Sequence, residues 1–164
     1  MRAILQRVSS ASVTVNGEIV GKIGKGICVL IGIAGDDEEK DVSWMVKKLT
    51  SVRVFEDGNG KPWTKSVKDL DLEILSVSQF TLYALSNKGS KPDFHLAMKS
   101  EQSKDMYTDF LEKLKAAYKP ERVQDGVFGA MMQVNILNDG PVTLILDSRD
   151  GKKNGTNGAS ASSS

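Results

Sequence analysis

The chain has 164 residues, 40% of them hydrophobic and 26% charged, with 22 Lys+Arg against 21 Asp+Glu for a formal net charge of +1. That is the size and make-up of one soluble domain, and the balanced charge argues against a broad basic face laid along a nucleic-acid duplex, DNA included. A lone cysteine, Cys28, excludes an internal disulfide, a lone histidine, His95, leaves a structural zinc site without its ligands, and the apolar run 27–34 is too short to cross a bilayer.

The opening residues have no signal-peptide core, because Gln6 and Arg7 interrupt the apolar Ile4-Leu5. With the single thiol, this fits a reducing, cytoplasmic setting. Residues 3–8 and 12–15 read as two strands. The second is joined through Asn16-Gly17 to Glu18-Ile19-Val20 in a two-residue hairpin, a turn whose central positions both need positive φ. The glycine-rich 21–26 looks like a phosphate cradle but precedes a strand instead of linking strand to helix, so it reads as a turn. Residues 26–34 are a β-branched run without alternation, which predicts a central strand covered on both faces, with Cys28 buried and inert inside it.

Residues 37–51 predict an amphipathic helix. Asp37, Glu38 and Glu39 sit in its first turn, Val42, Met45, Val46 and Leu49 at helical spacing, and Lys47-Lys48 near its end. The acidic cluster 36–41 is read as caps and solvent-facing charge. Strand candidates at 52–55 and 73–82 flank a turn at Asp57-Gly58-Asn59-Gly60. A second helix opens at Ser100 as N-cap, places Met106, Tyr107, Phe110, Leu111 and Leu114 on one face, and stops before Pro120. Strands at 130–137 and 142–146, joined by Asn138-Asp139-Gly140-Pro141, complete the pattern. About seven strands and two helices in mixed order predict an α+β fold with a curved, barrel-like mixed β-sheet and two main amphipathic helices. Residues 1–148 read as one unit and 149–164 as a disordered polar tail, in which the sequon Asn154-Gly155-Thr156 is taken as chance.

Most catalytic constellations fail on this sequence. A Ser/His/Asp triad would need His95, with Asp93 two residues away, but no serine lies in a nucleophile-elbow sequence, so His95 reads as a structural loop histidine. Two segments are less ordinary. In Ser78-Gln79-Phe80-Thr81-Leu82 an apolar strand runs into polar side chains interleaved with Phe80, which suits either a site at a strand terminus or a half-exposed edge strand. Asn138-Asp139-Gly140-Pro141-Val142-Thr143 suits an ordinary hairpin turn, and nothing in the sequence alone licenses a cis bond before Pro141.

These two segments, with the opening Gln6-Arg7-Val8, resemble D-aminoacyl-tRNA deacylases. The likeness extends over about residues 1–147, through Lys91-Pro92-Asp93-Phe94-His95-Leu96-Ala97-Met98, which resembles the eukaryotic branch, and Asp125-Gly126-Val127-Phe128-Gly129-Ala130. The resemblance implies a cytoplasmic, homodimeric hydrolase of the ester between a D-amino acid and the terminal adenosine of tRNA, with no metal and no cofactor. It further implies that Ser78, Gln79, Phe80 and Thr81 line the aminoacyl pocket, and that Gly140-Pro141, with a cis peptide, enters the partner subunit's pocket.

Chemistry can be set beside that resemblance. An activated ester needs a positioned water, an oxyanion donor and a clamp on the α-ammonium, so backbone N–H groups of Phe80 or Thr81 would suffice as donors. The Thr81 hydroxyl either attacks or orients, and the resemblance favours orientation, with assistance from the substrate's 2′-hydroxyl. A rigid main-chain wall that admits only hydrogen at one side of Cα would expel the L enantiomer while accepting glycine. A cis Gly140-Pro141 bond would point both carbonyl oxygens to one side of such a wall. Arg7 either braces the Gly140-Pro141 segment or is a solvated strand residue. Phe128-Gly129 either admits the terminal adenine or supplies a core ring, and Lys88 and Lys91 either contact phosphates or are solvated. A non-catalytic tRNA-binding module and a general esterase are the rival functions.

Overall fold

The computed structural model describes residues 1–150. The two predicted opening strands are one, β1 (Arg2–Val15), because the polar Ser9-Ser10 step between them is a register shift inside a continuous strand and not a break. Odd-numbered Ala3 and Leu5 enter one core, whereas Ala11 and Val13, also odd, enter another. The shift at Ser9 therefore turns the pleat over. Asn16 (φ 50°) and Gly17 (φ 79°) form the expected hairpin to β2 (Glu18–Ile23), which takes in the first half of the segment read as a turn.

Beside β1 runs β3 (Gly26–Gly32), antiparallel to it, followed by the parallel strands β6 (Glu73–Ser78) and β7 (Val123–Asp125). On the other side of β1 lies β8 (Gln133–Asp147), so the sheet reads β8-β1-β3-β6-β7, with β2 continuing beyond β3 along the far half of β1. The order is mixed and the sheet curls until β2 meets β7. A Cβ at Gly21 would stand 2.4 Å from Asp125 O, so that approach is open only to glycine. A two-stranded ribbon, β4 (Arg53–Phe55) with β5 (Lys65–Ser66), stands apart; β5 is two residues long with no apolar pattern to mark it in the sequence.

Helix α1 (Glu39–Ser51) buries Val42, Met45, Val46 and Leu49, as its spacing predicts, and α2 (Ser100–Ala117) buries Tyr107, Phe110, Leu111 and Leu114. Both lie on the core that contains Leu5, Ile27, Val29 and Ile31, while Val8, Val13, Cys28, Leu75 and Val77 fill the inside of the curl. β3 thus has apolar neighbours on both faces, the expected central strand. Three details correct the sequence reading. The α2 N-cap is Lys99, and Ser100 is the first helical residue. Asp37 and Asp41 are buried: Asp37 Oδ1 pairs with the Met1 α-ammonium and its Oδ2 accepts from Ala34 N–H at 2.7 Å, while Asp41 Oδ2 caps Glu38 N–H at 2.9 Å. Arg149, at the start of the predicted tail, bonds Asp36; the remainder of that tail and its sequon lie outside the described residues. Among the described residues no helix is long and apolar enough to cross a membrane.

Candidate functional site

The strand predicted over 73–82 stops at Ser78, and the chain turns into a short 3-10 helix, Phe80–Tyr83. Three contacts fix that turn. Gln79 N–H donates to Ile31 O at 2.7 Å; a Cβ at Gly32 would lie 2.9 Å from Leu82 Cβ and 3.1 Å from Gln79 O, so glycine there lets the turn seat on β3. Arg2 closes the far end, with Nη1 donating to Leu82 O at 2.9 Å and its guanidinium 4.7 Å over the Tyr83 ring. Sequence reasoning passed over Arg2, which no local pattern sets apart from other strand arginines.

Ser78, Gln79, Phe80 and Thr81 line a cavity of about 660 Å³, joined there by Phe128 and Gly129 from the loop before β8. The four residues that the resemblance puts in one pocket are thus brought together with Phe128 and Gly129, and Phe128 packs against the core as well. Gly129 (φ 76°) sits in a turn closed by Ala130 N–H on Val127 O at 3.2 Å, and the Phe128 ring lies 5.7 Å from Tyr107. Ser100, Ser103 and Tyr107 supply the α2 wall; the sequence alone marks Ser100 as a cap and Tyr107 as core and singles out no role for Ser103. Ser103 and Tyr107 are four residues apart, the spacing that puts a polar pair on one helix face and would have marked them. Ile31, Ile33, Val77, Met98 and Val134 make much of the remainder apolar.

Among the described residues, none that lines the cavity is Asp, Glu, His, Lys, Arg or Cys. Burial pushes the Tyr107 phenol well above its ordinary range, opposed by its 2.9 Å bond with Ser76 Oγ, so it stays neutral. Thr81 Oγ1 accepts from Gln79 Nε2 at 2.5 Å. A carboxamide is no base in either orientation, so this hydroxyl lacks the partner that activates a nucleophile. Phe80 and Thr81, as the opening residues of the 3-10 turn, have N–H groups without a partner inside it; Leu82 N–H is the first to close on it, at Gln79 O. The wall is thus apolar, with hydroxyl, amide and main-chain donors as its polar groups. Cys28 is buried away from it, its thiol pushed up to about 12 by burial. His95 Nδ1 lies 2.7 Å from Asp93 Oδ1 in an exposed loop outside the cavity.

The second segment is not a hairpin turn. β8 continues through it and pairs with β1 on both sides: Val8 faces Asn138 and Gln6 faces Thr143, so Arg7 alone spans a four-residue excursion, Asp139 to Val142. Asn138 ties the neck, its Nδ2 donating to Thr143 Oγ1 at 3.0 Å and its Oδ1 accepting from Val142 N–H at 3.2 Å. Arg7 Nε donates to Asp139 O at 3.2 Å and lies 3.3 Å from Asp139 Oδ2, while Nη1 donates to Val54 O of β4 at 2.8 Å. The Gly140–Pro141 peptide is cis. Gly140 (φ 130°) is so close to Arg7 that a Cβ would stand 3.2 Å from Nη2. Gly140 and Pro141 are exposed and do not line the cavity of their own chain.

A family model described as D-Tyr-tRNA(Tyr) deacylase matches residues 4–147. The chain belongs to this deacylase family. Membership makes it a hydrolase of an aminoacyl-tRNA ester. It is 57% identical over 148 residues to the D-aminoacyl-tRNA deacylase 1 of Homo sapiens, covering 90% of this chain and 70% of that protein. Among solved structures it is similar to one described as c-Myc DNA Unwinding Element Binding Protein, at 56% identity and a TM-score of 0.87, over 90% of this chain and 98% of that one. A second, described as a probable eukaryotic D-amino acid tRNA deacylase, shares the fold at 20% identity and a TM-score of 0.78, over 89% and 98% of the two chains.

Proposed function

We propose that this deacylase hydrolyses the ester of D-aminoacyl-tRNA and of glycyl-tRNA mischarged on non-cognate tRNA, and spares L-aminoacyl-tRNA by a main-chain wall at Gly140-Pro141. The observation that carries the reading is a substrate-sized cavity with hydroxyl and main-chain donors and no ionisable carboxylate, imidazole or amine in its wall. Such a wall has nothing to do acid–base chemistry with, but an aminoacyl ester is already activated. Water attacks the carbonyl carbon, the oxyanion forms against the N–H groups of Phe80 and Thr81, and collapse expels the ribose oxygen, which takes the proton that water gave up, with the vicinal 2′-hydroxyl as relay. Thr81, held by Gln79, positions the substrate. The terminal adenine rests against Phe128 and Gly129, and Lys88 and Lys91 meet backbone phosphates.

Selectivity resides in the excursion. Gly140 and Pro141 stand clear of their own cavity, braced by Arg7, which suits insertion into the cavity of a second copy in a cytoplasmic homodimer. There the rigid backbone fills the space that an L side chain would need. Rejecting the L form a thousandfold takes about 4 kcal/mol, which steric overlap supplies. Glycine carries hydrogen on both sides of Cα and passes.

The test is ester loss from matched D-, L- and glycyl-tRNA with purified protein, alongside its sedimentation. Hydrolysis of the D and glycyl esters by a dimer, with the L ester spared, is expected. Equal turnover of D and L forms leaves a general esterase, no turnover leaves a binding module, and an inert glycyl-tRNA overturns the wall.

A further inference from the structure

Phe80, which lines the cavity, and Phe94, packed against it, are both exposed in the single chain. Phe80 opens the 3-10 turn whose backbone lines the cavity, yet its side chain is 57% exposed; Phe94, 38% exposed, meets it with ring centroids 5.2 Å apart at 62°. An edge-to-face pair does not cover both rings, and the exposure of each leaves aromatic surface in reach of solvent. The segment that carries Phe94 is anchored at both ends. Leu85 and Asp93 exchange backbone bonds at 2.8 Å each way, Gly35 N–H donates to Leu96 O at 2.9 Å, and Met98 N–H donates to Ile33 O at 3.0 Å. The pair is therefore presented by a tied loop against the rim.

The same loop carries Lys88, Lys91 and Lys99, all exposed, against one acid, Asp93, which His95 already occupies. None of the three lysines pairs with a described carboxylate. Aromatic faces beside unpaired cations are what a single-stranded nucleic acid uses: bases stack on the rings and the phosphates between them meet the ammonium groups. The family's substrate is an aminoacyl-tRNA ester, which brings an unpaired RNA end to this cavity, and that favours a nucleic acid over a lipid surface or a further copy of the chain.

We infer that the Phe80–Phe94 pair is the stacking seat for the base of the unpaired nucleotide that precedes the terminal adenosine, with the loop lysines on the adjoining phosphates. The inference rests on the function proposed above and extends it from the aminoacyl-adenosine to the RNA strand that leaves the cavity. It makes Phe94 a binding residue outside the chemistry: a substrate that ends at the adenosine never reaches it.

Phe94→Ala and Phe94→Trp separate this from the alternatives, each measured on D-aminoacyl-tRNA and on 3′-O-D-aminoacyl-adenosine. Phe94→Ala is expected to raise KM for the tRNA roughly tenfold or more at constant kcat, to change the adenosine ester less than about twofold, and to be rescued by Phe94→Trp. Activity on the short ester also reports that the variant is folded. Equal losses on both substrates would show that Phe94 only props Phe80, unchanged KM on both would remove the seat, and a change in sedimentation of Phe94→Ala would assign the pair to a contact between copies. Any of these overturns the inference while leaving the deacylase reading intact; wild-type protein inert toward both esters removes that reading first.

Discussion

The cavity segment 78–81 and the excursion 139–142 are built on opposite plans. The first is held from beneath by backbone: Gln79 on Ile31, the turn seated on Gly32, and a wall without a charged residue. The second is held from the side by a guanidinium that reaches two main-chain carbonyls on different strands, Asp139 O and Val54 O. In the cavity, uncharged side chains make the wall, and the proposed chemistry leaves the oxyanion to main-chain donors. In the excursion, one charged side chain fixes where the main chain stands. Substitutions should therefore cost rate in one region and selectivity in the other.

The largest effect is expected at Gly140. A Cβ there would meet Val142 N at 2.9 Å on a backbone at φ 130°, where L residues are strained, so Gly140→Ala displaces the segment. Discrimination of D- from L-aminoacyl-tRNA should collapse by up to about a thousandfold, measured as the ratio of kcat/KM values, equivalent to about 4 kcal/mol. Retained selectivity would mean that the wall lies elsewhere. Arg7→Ala should cost discrimination about a hundredfold, by losing charge-assisted bonds and leaving Val54 O without its donor; Arg7→Lys should recover only part, because an ammonium cannot fork between two carbonyls. Its kcat for the D ester should change far less than its selectivity, and the reverse pattern would erase the contrast between the regions.

Within the cavity, Thr81→Ala should lower kcat by about tenfold or less, as expected of a group that orients; loss of all turnover with binding intact would make the hydroxyl a nucleophile. The pH profile gives a smaller signal. The Tyr107 phenol, raised by burial, is protonated and neutral below its shifted pKa, and the Cys28 thiol, pushed up to about 12, likewise stays neutral. From about pH 6 to 8.5, kcat should then show no limb from an enzyme side chain, and a limb that persists when the substrate α-amine is acylated would expose a titrating base. Least of all, Cys28→Ala should change activity less than about twofold, checked by the same ester assay, because the thiol only fills the curl of the sheet.

Much of the scaffold was legible because its signals are local. Asn16-Gly17, the unbroken apolar run of β3 and the helical spacings of α1 and α2 each follow from backbone sterics or from period alone. Apart from the one-residue shift of the α2 N-cap, the misreadings come from partners distant in sequence. Ser9-Ser10 and Asp139-Gly140-Pro141 are turn-like in isolation, yet each lies inside a strand because β1 and β8 pair past it. Asp37 and Asp41 carry solvent-type residues into the interior because buried groups at the start of β1 and the end of β8 meet them, Met1 at Asp37 and Ser148 at Asp41. In the site, 78–81 stood out by its mixture of polar groups at a strand end. Ser103 and Tyr107 did not, since a helix face shows whether it fronts a core or a cavity only when its neighbours are in place.

The neck tied by Asn138 and Thr143 has one more consequence. A tip at the end of a hairpin can wag about a single anchor, whereas a bight clamped on both sides to the same long strand has its freedom removed as the sheet forms. A partner that took in Gly140 and Pro141, as proposed, would meet a surface already held in place, so its affinity would not be diminished by having to still a moving loop.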